Sequence, residues 1–107
     1  MSIDSLKTNI INILKNKKAI DVEDIYVAEK SIIADYFIIA SGTSSTQVKA
    51  LAENLEFEIS KLGVKPKKVE GYDSGNWILL DYGDIVVHIF LPEARKLYAL
   101  SELWSEK

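Results

Sequence analysis

The chain contains no cysteine, which excludes disulfide stapling, thiolate ligation of metals and cysteine-based catalysis. It has one histidine, so a metal site would have to be built from His88 and carboxylates such as Asp81, a donor set with a weak claim on any metal. No apolar run approaches the roughly 18 residues of a membrane span. The N-terminal stretch MSIDSLKTNIINILKNKK spaces its apolar residues at helical intervals and has no basic leader before an unbroken apolar core. The expectation is therefore a soluble, unexported, full-length cytoplasmic protein. Positive charge is not in excess either: 13 Lys and Arg stand against 16 Asp and Glu, for a net charge of −3. Such a chain has no general field attracting nucleic-acid phosphates, and a basic partner surface suits it better. Its two small basic clusters, Lys15, Lys17 and Lys18, and Lys65, Lys67 and Lys68, read as a helix C-terminus and a solvated strand edge.

What is present is enough apolar material for one core. With 107 residues, 48% of them hydrophobic, the chain falls in the range of a single domain spanning 1–107. There are no repeats, linkers or low-complexity segments. Ile3, Leu6, Ile10, Ile13 and Leu14 recur three or four apart behind Ser2, predicting a capped amphipathic helix over about 3–16. Two β-rich runs follow, Ile25 to Ala28 and Tyr36 to Ser41. Ser44 and Gln47 have the spacing of a capping box. Behind them Val48, Leu51, Ala52, Leu55, Ile59 and Leu62 form one helical stripe that ends at Gly63. The period then changes to two through VKPKKVEG and NWILLDYGDIVVHIFL, with Pro66 restricting the first of these to an edge or a strand start. Pro92 ends the last strand, and Glu93 to Trp104 reads as a closing helix. Helix, two strands, helix, three strands, helix is the pattern of an α/β domain: a mixed five-stranded sheet packed with helices.

The hairpin carries the most functional information, because pairing decides which side chains act together. A two-residue turn at Gly83 and Asp84 pairs Asp81 with Val86, Leu79 with His88 and Trp77 with Phe90. One face then carries Ile78, Leu80, Tyr82, Ile85, Val87 and Ile89, the natural surface for helices to cover. The other carries Trp77, Leu79, Asp81, Val86, His88 and Phe90, a mixture of aromatic, imidazole and carboxylate found at interaction surfaces. The same aromatics also suit a buried packing role.

Catalytic readings fare poorly. Ser41 or Ser44 with His88 and Asp81 makes a triad on paper, but no G-x-S-x-G elbow is present. The junction FIIASGTSSTQVKALA has the strand, Ser-Gly-Thr-Ser loop and helix that open nucleotidyltransferase folds. However, no D-x-D or D-x-E pair follows at strand spacing, and no Walker-type lysine follows the loop. Phosphoryl chemistry needs that charge neutralisation. The expectation is no enzyme, no catalytic residue, no metal and no cofactor.

Three separated segments, ADYFIIASGTSSTQVKALA from Ala34, VEGYDSGNWILLDYGDIVVHIF from Val69 and RKLYALSELW from Arg95, resemble the ribosomal silencing factor, or Iojap-like, family. With the strand before Ala34 they cover most of residues 20–104. The spacing Trp-x-x-x-Asp-x-Gly-Asp-x-x-x-His, from Trp77 to His88, followed by Tyr98 and Leu103-Trp104, is a specific combination. The resemblance implies a small α/β fold related to nucleotidyltransferases but without their catalytic acids. It also implies binding to the large ribosomal subunit through ribosomal protein L-fourteen, which blocks subunit joining and lowers translation when nutrients are scarce.

The family motif positions are Asp35, Ser41, Gly42, Ser44, Gln47, Gly71, Trp77, Asp81, Gly83, Asp84, His88, Arg95, Tyr98, Leu103 and Trp104. From these and the mixed face, the expected partner-binding residues are Trp77, Leu79, Asp81, His88, Phe90, Arg95 and Tyr98. Asp35 is left between orienting the strand entrance and contacting a partner. Ser101 stands where the family commonly has Glu, which removes any ion pair made by that Glu. Two alternatives stay open: a nucleotide-binding or transferase-like enzyme using the Ser41–Ser44 loop, and an assembly factor for immature large subunits. An isologous contact through Trp77 would allow the free protein to cover its apolar face as a homodimer.

Overall fold

A computed structural model of the protein describes residues 2–29 and 34–97. Helix α1 spans Ile3–Asn16, with the Ser2 Oγ accepting from the Ser5 N–H at 3.1 Å, so the expected cap satisfies one of the donors that every helix start leaves open. Strands β1 (Ile20–Tyr26) and β2 (Tyr36–Ser41) follow, then α2 (Ser45–Ser60), β3 (Lys68–Glu70), β4 (Trp77–Asp81) and β5 (Ile85–Phe90). Residues 92–97 are helical. The rest of the expected closing helix, including Tyr98, Leu103 and Trp104, lies outside the described residues. Among the described residues no helix is long and apolar enough to cross a membrane.

The sheet order is β1-β2-β5-β4-β3. Strands β2 and β5 run parallel at its centre, and the other pairs are antiparallel. From β2 the chain crosses over through α2 to the far edge at β3 and returns by β4 to β5, so the sheet is mixed and five-stranded, as the element order predicts. Helices α1 and α2 pack on the same face. There Ile10, Leu14, Leu51, Leu55 and Ile59 close over Ile38, Ala40, Ile78, Leu80, Val87 and Ile89. Tyr82 belongs to this face and contributes its ring. Burial pushes its phenol well above the usual range, with Glu56 nearby adding to the rise.

Two strands differ from their sequence reading. The first was expected over Ile25 to Ala28 but occupies Ile20–Tyr26, with a register shift between Ile20 and Glu23. As an exposed edge carrying Asp21, Glu23 and Asp24, β1 shows little of the apolar alternation that marks a half-buried strand. In VKPKKVEG only Lys68–Glu70 is strand, because Pro66 cannot donate to a ladder and postpones pairing until after it.

The hairpin register is the predicted one: Trp77 opposite Phe90, Leu79 opposite His88, and Asp81 opposite Val86. Tyr82 N–H closes the two-residue turn on the Ile85 carbonyl at 2.8 Å, and Asp81 Oδ1 accepts from the Gly83 N–H at 2.8 Å. Asp35 acts at the strand entrance through its backbone. Its carbonyl accepts from Val27, and its N–H donates to the Asp84 carbonyl at 2.8 Å.

Candidate functional site

The parity of the ladder sends a second set of side chains to the face away from α1 and α2. Strand β4 contributes Trp77, Leu79 and Asp81, and β5 contributes Val86, His88 and Phe90. The parallel partner β2 adds Phe37, Ile39 and Ser41, opposite Val86, His88 and Phe90 respectively. These β2 residues were missed as members of the face. Their own alternation was readable, but joining it to the hairpin required knowing that β2 lies beside β5.

The centre of this face is a ring cluster around the one imidazole. Phe37 meets His88 edge-on at 4.8 Å between centroids, His88 stacks on Phe90 at 5.9 Å, and Trp77 lies 4.9 Å from Phe90. Trp77 Nε1–H donates to His88 Nδ1 at 3.1 Å. An indole N–H can only donate, so His88 is neutral with its proton on Nε2. Burial works in the same direction and pushes its pKa down to about 4.

The expected partner-binding residues are not equivalent. His88 is 4% exposed and Phe90 0%, whereas Trp77 is 40% exposed. Leu79 and Asp81 are half-buried beside it. His88 and Phe90 are therefore buried within the ring cluster, whereas the Trp77 indole is displayed at its surface. Arg95 is committed within the chain. Its Nη1 donates to Ser41 Oγ at 2.9 Å and its Nη2 to Glu23 Oε2 at 3.0 Å, so it ties the residues after β5 across the ends of β2 and β1. Glu23 and Ser41 lie 72 and 54 positions from Arg95, too far for any local sequence signal. Tyr98 lies outside the described residues.

The Ser-Gly loop is occupied with starting a helix. Ser44 Oγ accepts from the Gln47 N–H at 3.1 Å. Gln47 Oε1 accepts from both the Thr43 N–H at 2.6 Å and the Thr43 hydroxyl at 2.8 Å. The capping box thus exists, with its return arm one residue earlier than the usual N-cap amide. Donors that a phosphate would use are bound to a carboxamide oxygen. Gly42 is small for packing reasons: a Cβ there would stand 3.0 Å from Val48 Cγ2 and 3.1 Å from Val48 N. The glycine thus permits the close approach of α2. Among the described residues, no group of three or more His, Asp or Glu side chains could hold a metal ion.

A family model described as "Ribosomal silencing factor during starvation" matches residues 1–107. The chain belongs to the ribosomal silencing factor family. It is 38% identical over 106 residues to ribosomal silencing factor RsfS of Halalkalibacterium halodurans, covering 99% of this chain and 91% of that protein. Against RsfS of Haemophilus influenzae it is 40% identical over 96 residues, covering 90% and 94%. A mouse relative named "Mitochondrial assembly of ribosomal large subunit protein 1" is 33% identical, covering 90% of this chain and 43% of that longer protein. The fold also matches a crystal structure from Chromobacterium violaceum with a TM-score of 0.91 at 35% identity, covering 97% of this chain and 87% of the other. The family resemblance carried by the three segments is thereby established, and so is the single α/β domain with its mixed sheet.

Proposed function

We propose that this member of the ribosomal silencing factor family acts in the cytoplasm by binding ribosomal protein L-fourteen on the large ribosomal subunit. Occupying that protein blocks joining of the small subunit and represses translation when nutrients are scarce. The observation that carries this reading is the Trp77 indole, 40% exposed yet fixed by its bond to buried His88. A large aromatic already held in one orientation loses little entropy on docking, which is why such residues dominate interfaces. Leu79 and Asp81 flank it, His88 and Phe90 support it from beneath, Arg95 braces the neighbouring strand ends through Ser41 and Glu23, and Tyr98 is proposed as a further contact. A net charge of −3 suits a basic ribosomal protein better than bare RNA. Steric exclusion needs a stable interface and no catalysis, in keeping with a Ser-Gly loop spent on helix capping. In the free protein an isologous dimer through Trp77 would cover the same indole.

Co-sedimentation with purified large subunits tests the reading. Trp77→Ala, confirmed folded, is expected to weaken binding by more than about 2 kcal/mol, a loss of roughly thirtyfold. Wild-type protein that fails to sediment with excess subunits at low salt would overturn it. A second reading, a factor for large-subunit assembly, is favoured by the name of the mouse relative. Co-fractionation with immature rather than mature large subunits in cell extracts would select it.

A further inference from the structure

Away from the Trp77 face, a groove of about 740 Å³ runs between α2 and the sheet edge formed by β3. Its apolar lining is Pro66 and the exposed side chains of Phe57, Val69 and Tyr72, with Phe57 60% exposed. Tyr72 lies against α2, with Lys49 Nζ 5.6 Å from its ring centroid, so one end of the groove is already formed. The two walls differ in charge. Glu53 and Glu56 stand on the helix side, and Lys65, Lys67 and Lys68 on the strand side. Lys68 reaches Glu70 at 3.8 Å, whereas Lys65 and Lys67 form no ion pair among the described residues.

β3 is the last strand of the sheet and pairs with β4 alone. Its outer row of backbone groups is a template for another strand. Shortness, a preceding proline and lysines are the usual means of keeping such an edge from unwanted pairing. An edge built only for that purpose would not also present Phe57 and Val69 beside it.

We propose that this groove receives an extended acidic segment of a partner protein, added to the sheet beside β3. Alternate side chains of the added strand would face α2 and bury against Phe57 and Val69, as Val69 itself faces that side opposite Leu80. Main-chain bonds to β3 supply affinity, and the groove supplies selectivity. Carboxylates on the segment meet Lys65 and Lys67 on the wall it lies against. A ladder of main-chain hydrogen bonds with β3 needs a polypeptide backbone, which favours peptide over RNA. This surface is separate from the Trp77 face and does not depend on the reading above.

The test uses a fluorescein-labelled nine-residue peptide alternating valine or phenylalanine with glutamate, its lysine counterpart, and a glutamate version with a central proline. Binding is followed by anisotropy and by amide shifts of the full chain. The expected result is binding of the glutamate peptide alone, with shifts confined to residues 53–60 and 65–72. Affinity should fall at least tenfold in Phe57→Ser and in the Lys65→Glu, Lys67→Glu double variant. Phe57→Ser should still sediment with large subunits as wild type does, which separates the two surfaces. Equal binding of the lysine peptide, absence of binding, shifts outside those segments, tighter binding of single-stranded oligouridylate, or self-association of the free chain through the same amides would each overturn the proposal.

Discussion

The two faces of the one sheet are held by different kinds of interaction. Under α1 and α2, Ile38, Ile78, Leu80, Val87 and Ile89 are fully buried among aliphatic neighbours, and their contribution is non-directional and follows the area removed from water. On the opposite face, Phe37, Trp77, His88 and Phe90 are arranged around one N–H···N hydrogen bond. There the geometry of polar atoms matters as much as burial. The first arrangement tolerates exchange between hydrophobes of similar size. The second holds an exposed ring in one place, which is what a binding surface requires.

The difference can be broken most severely from the helix side. Ile89→Ala removes methyl groups at the centre of the core, and urea unfolding should record a loss of about 2–5 kcal/mol. Ile89→Val, which keeps the shape, should lose about 0.5–1.5 kcal/mol.

On the other face the largest effect comes from acid. His88 has its pKa lowered by burial from 6.5 to about 4, so the unfolded chain takes up a proton before the folded one does. The associated stability is complete above pH 6.5, falls as the pH drops, and is lost by about pH 4, amounting to roughly 3 kcal/mol. Urea unfolding across that range should show this slope, and His88→Phe should remove the part above pH 5, where carboxylates contribute little. The smallest change is Trp77→Phe, which keeps a ring but deletes the donor to His88 Nδ1. It should cost about 1 kcal/mol and move the single histidine resonance in a proton NMR titration.

Much of this contrast was legible in the residues alone, and the reasons are local. A two-residue turn at Gly83-Asp84 sets the parity of the whole hairpin, so both faces followed from one assumption that the observed pairing supports. Ser2 and Ser44 marked both helix starts because caps are chosen by short-range hydrogen bonds. Strand β1 was misplaced, since a charged, bulged edge lacks the alternation that reveals a strand. Parity also says nothing about depth. Phe90 and Trp77 share a face, yet one is wholly buried and the other 40% exposed. Arg95 was assigned to the partner surface, whereas its guanidinium is tied to Ser41 and Glu23, a contact made by tertiary packing and invisible in sequence spacing. Gly71 shows the same kind of hidden cause. Its φ is +80°, and a Cβ there would run into the Trp77 carbonyl oxygen, so the loop before β4 needs glycine to bring Trp77 to its place.

The most direct measurement is a titration of isotope-labelled protein with purified ribosomal protein L-fourteen, followed by amide and indole resonances. Docking through the aromatic face predicts shifts at Trp77, Leu79 and Asp81 and a displaced Trp77 Nε1–H signal, with α1, α2 and the β3 groove undisturbed. Shifts confined to the helices or to the β3 groove, or no interaction at all, would contradict it.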